Sequence, residues 1–386
     1  MTRALIIGGG IAGTVAAIAL GKAGLEPVVF EAYDRTADGV GAFLTLAKNG
    51  LDALDAIGLR GVVEEAGFAT PGMRFFNGAG RELGEVRMPA RTVVRSDLYV
   101  ALRDEAVRRG IRIEYGKRLV DVGDGVRARF ADGTSATGDL LIGADGLRSR
   151  VREIIDPRAP KARYIPLLNT GGFAEGVRVD EPVGVWHMIF GNRQFFAYLR
   201  RHDEKVLWFA NPPRKTEPTP DELAAISDER WRAELIGRAR ADRGLAASII
   251  EATPVLFRPW ATYDFPSVPT WHRDRMVIIG DAAHAAAPSS GQGASMALED
   301  AVTLAKCLRD VEVEEAFRRY ERARRERVEK VVAAGKHAGD GKIAGPFMRT
   351  VRDFFVSRGL RNDDPGAMNW MFDHHIQWDA AVASRD

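Results

Sequence analysis

The stretch Gly280–Ala301, GDAAHAAAPSSGQGASMALEDA, decides how the rest of the chain is read. It follows the apolar run Arg275-Met-Val-Ile-Ile279, whose pattern predicts a short buried strand. A turn carrying Pro288, Gly291 and Gly293 then leads into a helix with Ala294, Ala297, Leu298, Ala301, Leu304, Ala305 and Leu308 on one face. Strand, acid, glycine turn and helix start, in that order, make a place for a polyanionic cofactor. Asp281 can bond a sugar or ribityl hydroxyl, and the N–H groups of a first helical turn face negative charge.

The chain opens with a second site of this kind. Residues 3–7 read as a strand, 8–13 as a turn and 11–23 as a helix, with Pro27–Glu31 as the next strand. Gly8-x-Gly10-x-x-Gly13 therefore stands in a βαβ context. Its glycines, with Ile11 and Ala12 between them, let a pyrophosphate approach the helix start, and Glu31 can accept from ribose hydroxyls. This predicts dinucleotide binding without separating NAD from FAD.

Composition sets the bounds. A chain of 386 residues, 46% hydrophobic and 28% charged, suits two packed domains or one large soluble α/β unit. Lys and Arg total 55 against 53 acids, a balance that calls for no nucleic-acid partner. One cysteine, Cys307, excludes a disulfide framework or thiolate metal cluster and fits a reducing cytoplasm. It shares a helix side with Asp300 and Thr303, which predicts a bystander on the less apolar face. The uncharged run Ala4–Gly21 could pass for a signal peptide or membrane span, but Gly8, Gly9, Gly10 and Gly13 interrupt it. No other segment approaches membrane length, so the expectation is a cytoplasmic protein without a membrane partner.

Between these landmarks, Asn49–Gly58 through Arg95 reads as a second αβ-like segment, and Ser96 and Asp97 as caps of a helix to Arg108. Strands with an Asp132-Gly133 turn lead to Asp139–Gly146. From about 160 to 270 the texture becomes strand-like and aromatic, at Val183–Phe190, Gln194–Leu199 and Val206–Ala210, with one helix near 220–240. Beyond 310 the chain reads as helical. Glu/Arg and Glu/Lys pairs at i,i+4 predict that Arg318–Lys330 is a solvated, salt-bridged face.

Ala144-Asp145-Gly146-x-x-Ser149-x-x-Arg152 follows a further strand. With the Gly8–Gly13 and Gly280–Asp281 motifs it resembles the three fingerprints of the flavin-dependent aromatic monooxygenases, the para-hydroxybenzoate hydroxylase-like and tetracycline-inactivating group. The resemblance runs from Arg3 to about residue 330. It implies an α/β protein: a Rossmann-like FAD-binding domain (1–160 and 271–330), an inserted antiparallel-sheet substrate domain (161–270, with 70–95 contributing to that side) and a helical C-terminal region (331–386). It further implies that Gly8, Gly10, Ile11, Ala12, Gly13 and Glu31 hold the ADP half of FAD, and that Arg95 contacts the flavin side. Asp281 would bond the ribityl–pyrophosphate region, and Asp145-Gly146 would serve FAD and nicotinamide nucleotide alike. Gly41, Ala42, Pro288, Gly291, Gln292, Gly293 and Ala294 would pass beside the isoalloxazine ring. Ser295 stands where many such proteins carry asparagine, and its hydroxyl could bond the ring edge.

The implied reaction is reduction of FAD by NADPH or NADH, then formation of a flavin C4a-hydroperoxide with O2, whose distal oxygen an electron-rich aromatic, enolic or polyketide-like substrate attacks. Baeyer–Villiger insertion stays open on the same fold. So does a non-catalytic binding module, although intact motifs speak against it, and an NAD-dependent dehydrogenase would leave the Asp281 segment unexplained. The absence of Trp-x-Trp-x-Ile-Pro disfavours a halogenase. His187, Gln194, Phe196 and Tyr198 are the substrate-pocket candidates from the aromatic strands, and no residue is assigned a catalytic role. His284 reads as part of its turn rather than a base, and adjacent His374 and His375 as a poor metal pair. Trp370, Phe372 and Trp378 read as a packed C-terminal segment.

Overall fold

In the computed structural model the described residues are 1–34, 42–342, 345–361 and 369–382. The apolar run at the start forms the strand Arg3–Ile7, with Ala4, Leu5, Ile6 and Ile7 all buried. Burial on both faces is what a central parallel strand requires. Arg3–Ile7 pairs in parallel with Glu26–Phe30 on one side and Leu140–Gly143 on the other, with Ile7 opposite both Phe30 and Gly143. Across this sheet the order is His272–Arg273, Met276–Ile278, Leu140–Gly143, Arg3–Ile7, Glu26–Phe30 and Arg112–Glu114. Only the first pair is antiparallel.

The helix Ile11–Lys22 packs along Gly293–Asp310, and alanines on both let the axes come close. A Cβ added at Gly280 would lie 3.2 Å from that of Ala297 and 3.3 Å from that of Ala12. The two anion-ready helix starts, far apart in sequence, therefore meet at one turn.

The second sheet runs Trp260–Asp264, Arg163–Ala174, Val206–Asn211, Phe195–Arg200, Trp186–Phe190, Gly67–Asn77, Glu82–Val94 and Phe43–Leu46. It is antiparallel except where Trp186–Phe190 meets Gly67–Asn77. Strands from before residue 95 thus join those of 163–264, including Phe43–Leu46, which lies ahead of the 70–95 stretch expected to contribute. Pro71 sits at the irregularity between Thr70 and Gly72, and Pro166 at the one between Ile165 and Leu168. Proline in a strand pattern argues against a strand, which is why these two long strands were hard to read. A small sheet of Leu119–Gly123, Arg127–Phe130 and Ser135–Thr137 turns at Asp132-Gly133.

Several local expectations change. The helix near 220–240 is two, Pro220–Ala224 with a Thr219/Glu222 capping box and Asp228–Ala239 capped by Ser227, followed by Ala246–Glu251. Arg95–Arg108 starts from Val94, whose apolar side chain offers no cap, and Ser96 lies inside the helix with its hydroxyl donating to Asp97. Val313–Lys342 is one helix, so the expected seam at 330/331 falls inside it. Cys307 is buried in the main core rather than on a polar face, and burial pushes its thiol up to about 12. Among the described residues no helix is long and apolar enough to cross a membrane.

Candidate functional site

The site is built at the ends of the parallel strands, where an open α/β sheet leaves a crevice. Gly8 has φ +104°, and a Cβ there would lie 2.4 Å from the Ala144 carbonyl oxygen. A Cβ on Gly13 would lie 1.9 Å from the Gly8 carbonyl oxygen. Only glycine permits this closure. The first intrahelical bond is Thr14 N–H to Gly10 C=O, so Ile11, Ala12 and Gly13 present N–H groups with no acceptor inside the helix. Glu31 braces the loop: Oε2 accepts from Gly9 N–H at 2.7 Å and Oε1 from Tyr33 N–H at 3.0 Å. Each oxygen keeps a lone pair for another donor.

Arg95 and Tyr99 stand over this loop from Arg95–Arg108. The Tyr99 hydroxyl lies 3.1 Å from the place a Gly10 Cβ would take, and the Arg95 guanidinium sits 5.6 Å from the Tyr99 ring centre. Arg95 N–H donates to the Ala42 carbonyl at 2.9 Å, which ties the segment entering Phe43–Leu46 to the same crevice. Gly41 lies outside the described residues.

Asp281 opens into the crevice just after Gly280, at φ +58°. The surrounding walls of the crevice, and to a smaller extent the Asp300 carboxylate, raise its carboxyl pKa against the opposing effect of His284 and Arg95. The next turn runs Pro288–Ser290 to Gly291, at φ +62°, and the following helix makes its first bond from Met296 N–H to Gln292 C=O. Gly293, Ala294 and Ser295 thus lack acceptors inside the helix, and of these Gly293 and Ala294 are accessible. Two side chains turn away. Gln292 is buried, its Oε1 accepting from Asn49 at 2.9 Å. Ser295 is buried against Gly50, where a Cβ would lie 2.6 Å from its Oγ, and this hydroxyl does not reach the crevice. The accessible part of this helix start is therefore Gly293 and Ala294.

Beneath the turn lies a charged network that the sequence concealed. Asp300 Oδ2 accepts from Gly280 N–H at 2.9 Å and bonds His284 Nε2, while Oδ1 accepts from Arg324 at 2.8 Å. Arg324 also reaches Glu299, which accepts from Arg327 and from Asn49 at 2.7 Å. Burial works to raise the Asp300 pKa, but His284 and Arg324 outweigh it and hold the group at about 2. Arg324 is therefore not on a solvated face. It occupies a stripe with Phe317, Tyr320, Val328, Val331 and Val332, and that helical spacing was the available signal.

The Asp145 motif is a brace. Asp145 accepts from the Ser149 hydroxyl and from the N–H groups of Arg150 (2.7 Å) and Val151 (3.1 Å), capping its own short helix. These bonds fix the carboxylate in place, and Oδ1, which accepts only from Ser149, keeps a lone pair for another donor. Arg152 donates to the Ala282 carbonyl at 3.0 Å and lies over Phe265, fixing the Asp281 turn to the central sheet.

The aromatic strands have two faces, and the candidates lie on the one packed on helices. Phe196 stacks on Trp208, and both share a core with Trp231 and Leu235 of Asp228–Ala239. Gln194 donates to the Leu235 carbonyl. His187 stacks between Phe76 and Tyr198, whose hydroxyl donates to Glu181 at 2.7 Å. The opposite face carries Trp186, Phe195, Phe209, Phe173 and Met188, packed with Phe43, the residue after Ala42. Strand alternation separates the two sets correctly, but the choice of face rests on Phe43, whose strand was not foreseen.

Near the chain's end, His375 Nδ1 bonds Asp52 at 2.7 Å, and His374 lies 3.8 Å from Glu299. Met371, Ile376 and Trp378 join the main core, with Lys22 and Arg309 over the Trp378 ring. This segment is packed on the helices, as its aromatics suggested.

The crevice fits FAD. Its glycine turn would be filled by any Cβ at Gly8 or Gly13, two helix starts supply N–H groups at one junction, and Asp281 faces the open space between them. These features define a two-sheet protein with an FAD-type dinucleotide crevice. The chain belongs to the FAD binding domain family, which matches residues 1–335. It is 32% identical over 369 residues to an aurachin C monooxygenase/isomerase of Stigmatella aurantiaca, covering 90% of this chain and 92% of that one. It is also 32% identical to a 3-amino-4-hydroxybenzoate 2-monooxygenase of Streptomyces platensis, covering 94% of each. Klebsiella pneumoniae HpxO, solved with FAD and uric acid, superposes with a TM-score of 0.80 at 25% identity over 96% of both chains. The protein is an FAD-dependent monooxygenase.

Proposed function

We propose that the chain hydroxylates an electron-rich aromatic or enolic small molecule, drawing electrons from NADPH or NADH and oxygen from O2. The observation that carries this reading is the position of Phe43. The aromatic face begins at the residue after Ala42, so an apolar slab starts where the cofactor crevice ends.

When bound, FAD supplies the electron transfer and the activation of O2. The protein's part is to bind, orient and exclude water. Gly8, Gly10, Ile11, Ala12 and Gly13 receive the pyrophosphate, Glu31 a ribose, and Arg95 and Asp281 the stretch toward the flavin. Ala42, Pro288, Gly291, Gln292, Gly293 and Ala294 pass beside the ring. The N–H groups at Gly293 and Ala294 favour negative charge at the ring edge. Phe43, Trp186, Phe195 and Phe209 keep the space opposite dry, which strengthens every polar contact made there. In this reading residues 1–160 and 271–330 form the cofactor side and 161–270 the substrate side, with strands 43–46 and 67–94 added to the latter.

The test is NADPH and NADH oxidation by the full-length flavoprotein across phenols, polyketides and indoles, with product masses. Oxidation stimulated by one class, with a product heavier by one oxygen, is the expected result. Absence of any oxygenated product would overturn the reading, and a ring-opened or ester product would move it to oxygen insertion.

A paired substitution tests the roles at the turn. Asp281→Ala should cut FAD affinity roughly tenfold or more, the worth of a charge-assisted hydrogen bond, with little change in apoprotein Tm. His284→Ala removes a partner of buried Asp300 and should instead lower Tm. Flavin-to-protein ratios and melting curves separate the two. Equal flavin loss in both variants would place His284 on the cofactor.

A further inference from the structure

Lys342 closes the aromatic face from outside the sheet. It is the last residue of Val313–Lys342, and that helix lies against the Pro288–Ser290 turn. A Cβ at Gly335 would lie 2.8 Å from Ser290 Cβ, and one at Gly339 would lie 3.5 Å from Ser289 Oγ. Small residues here let the helix end approach the turn that leads to Gly291 and Gly293. Lys342 Nζ lies 4.1 Å from the Phe195 ring centre and 5.7 Å from that of Phe209. Both rings belong to the face shared with Trp186 and Phe43.

Its polar surroundings are fixed. Lys342 donates to Asn211 Oδ1 at 2.7 Å. Asn211 in turn donates to Asn169 Oδ1 at 2.8 Å, and Asn169 to Thr262 Oγ1 at 2.7 Å, so the acceptor is held in place by strands of the second sheet. An ammonium has three donors, and this bond uses one. Among the described residues no carboxylate forms an ion pair with Lys342. A half-buried cation without an anion still carries a desolvation cost, and ring faces offset only part of it.

On the reading of this chain as an aromatic monooxygenase, we propose that Lys342 receives the carboxylate of an aromatic acid whose ring lies against the half-buried Phe209, while Phe195 underlies the ammonium. Burial pushes the Lys342 ammonium down to about 7, so it gains most from a ligand that arrives already ionised. A carboxylic acid does so at neutral pH. A phenol, with a pKa near 10, would have to give up its proton roughly a thousandfold uphill. The observations therefore favour a carboxylate over a phenolate at this position. The phenolic or amino group that activates the ring would then point away from Lys342.

The experiment uses the FAD-loaded full chain and two probes of nearly equal shape, 3-hydroxybenzoate and neutral 3-hydroxybenzamide, titrated by the perturbation of the flavin spectrum. The wild type should bind the acid at least tenfold more tightly than the amide. Lys342→Met should abolish that preference while holding amide affinity within about threefold, and Lys342→Arg should keep it. The acid-to-amide ratio is the readout that a merely structural lysine would not move. Equal binding of the two probes by the wild type, a preference that survives in Lys342→Met, or failure of the yellow wild-type protein to bind either probe would overturn the proposal. A protein that takes up no FAD is told apart by its missing flavin spectrum, and it overturns the underlying monooxygenase reading together with this one.

Discussion

Gly13→Ala is expected to yield a folded but colourless protein. The added Cβ would lie 1.9 Å from the Gly8 carbonyl oxygen and 3.3 Å from Ala144 Cβ. The first neighbour is backbone, and Gly8 is itself held by its N–H bond to the Phe30 carbonyl at 2.9 Å. Relief requires the helix start to move away from the sheet, and overpacking of this kind costs about 1–3 kcal/mol. The same movement carries the N–H groups of Ile11, Ala12 and Gly13 off the line along which a pyrophosphate would approach. Together these effects should weaken FAD binding roughly a hundredfold or more, or about 3 kcal/mol. Titration of the apoprotein with FAD measures it. Gly21→Ala is the control on the same helix, because nothing lies within 4 Å of a Cβ there. That variant should stay yellow and gain up to about 1 kcal/mol from better helix propensity. If Gly13→Ala binds FAD as the wild type does, the crevice at Gly8–Gly13 is not the cofactor site.

The parts of this site legible in the sequence are those in which one residue's chemistry acts through its immediate neighbours. Gly8, Gly10, Gly13 and Glu31 could be read because a strand, a turn and a helix start leave little else for them to do. The Gly280–Gly293 segment could be read for the same reason. What escaped was set by contacts far along the chain. Arg324 stands among Arg322, Arg325 and Arg327, and only burial against Glu299 and Asp300 distinguishes it from its neighbours. Alternation sorted Phe195 from Phe196, but which set faces the crevice depends on Phe43–Leu46, a four-residue edge strand of a sheet whose aromatic strands come much later in the chain. Two of the long strands carry proline at irregularities in their register, so the usual strand pattern was broken where it was most needed.

Arg324→Met should be the most destabilising single change at the site. It leaves Glu299 and Asp300, both fully buried, without the cation that bonds each of them. Breaking one side of a buried ion pair costs about 3–5 kcal/mol, which for a chain of this size lowers Tm by about 4–6 °C. The effect should also reach the crevice, because Asp300 holds the Gly280 N–H at 2.9 Å and Glu299 holds Asn49, which positions Gln292. Weaker FAD retention should therefore accompany the lower Tm even though Arg324 touches no part of the crevice. The pH dependence separates this account from simple loss of packing. In the wild type the Asp300 pKa is depressed from 3.8 to about 2, so its contribution, roughly 2 kcal/mol, is fully present above the unfolded value and is lost as pH falls from about 4 toward 2. Without Arg324 the burial that works to raise the Asp300 and Glu299 pKa values is less opposed. The stability gap between variant and wild type should then be widest at neutral pH and narrow as acid protonates the two carboxyls. Denaturant unfolding at pH 7, 5 and 4 measures the gap, and a gap independent of pH would show that Arg324 acts by filling space rather than by its charge.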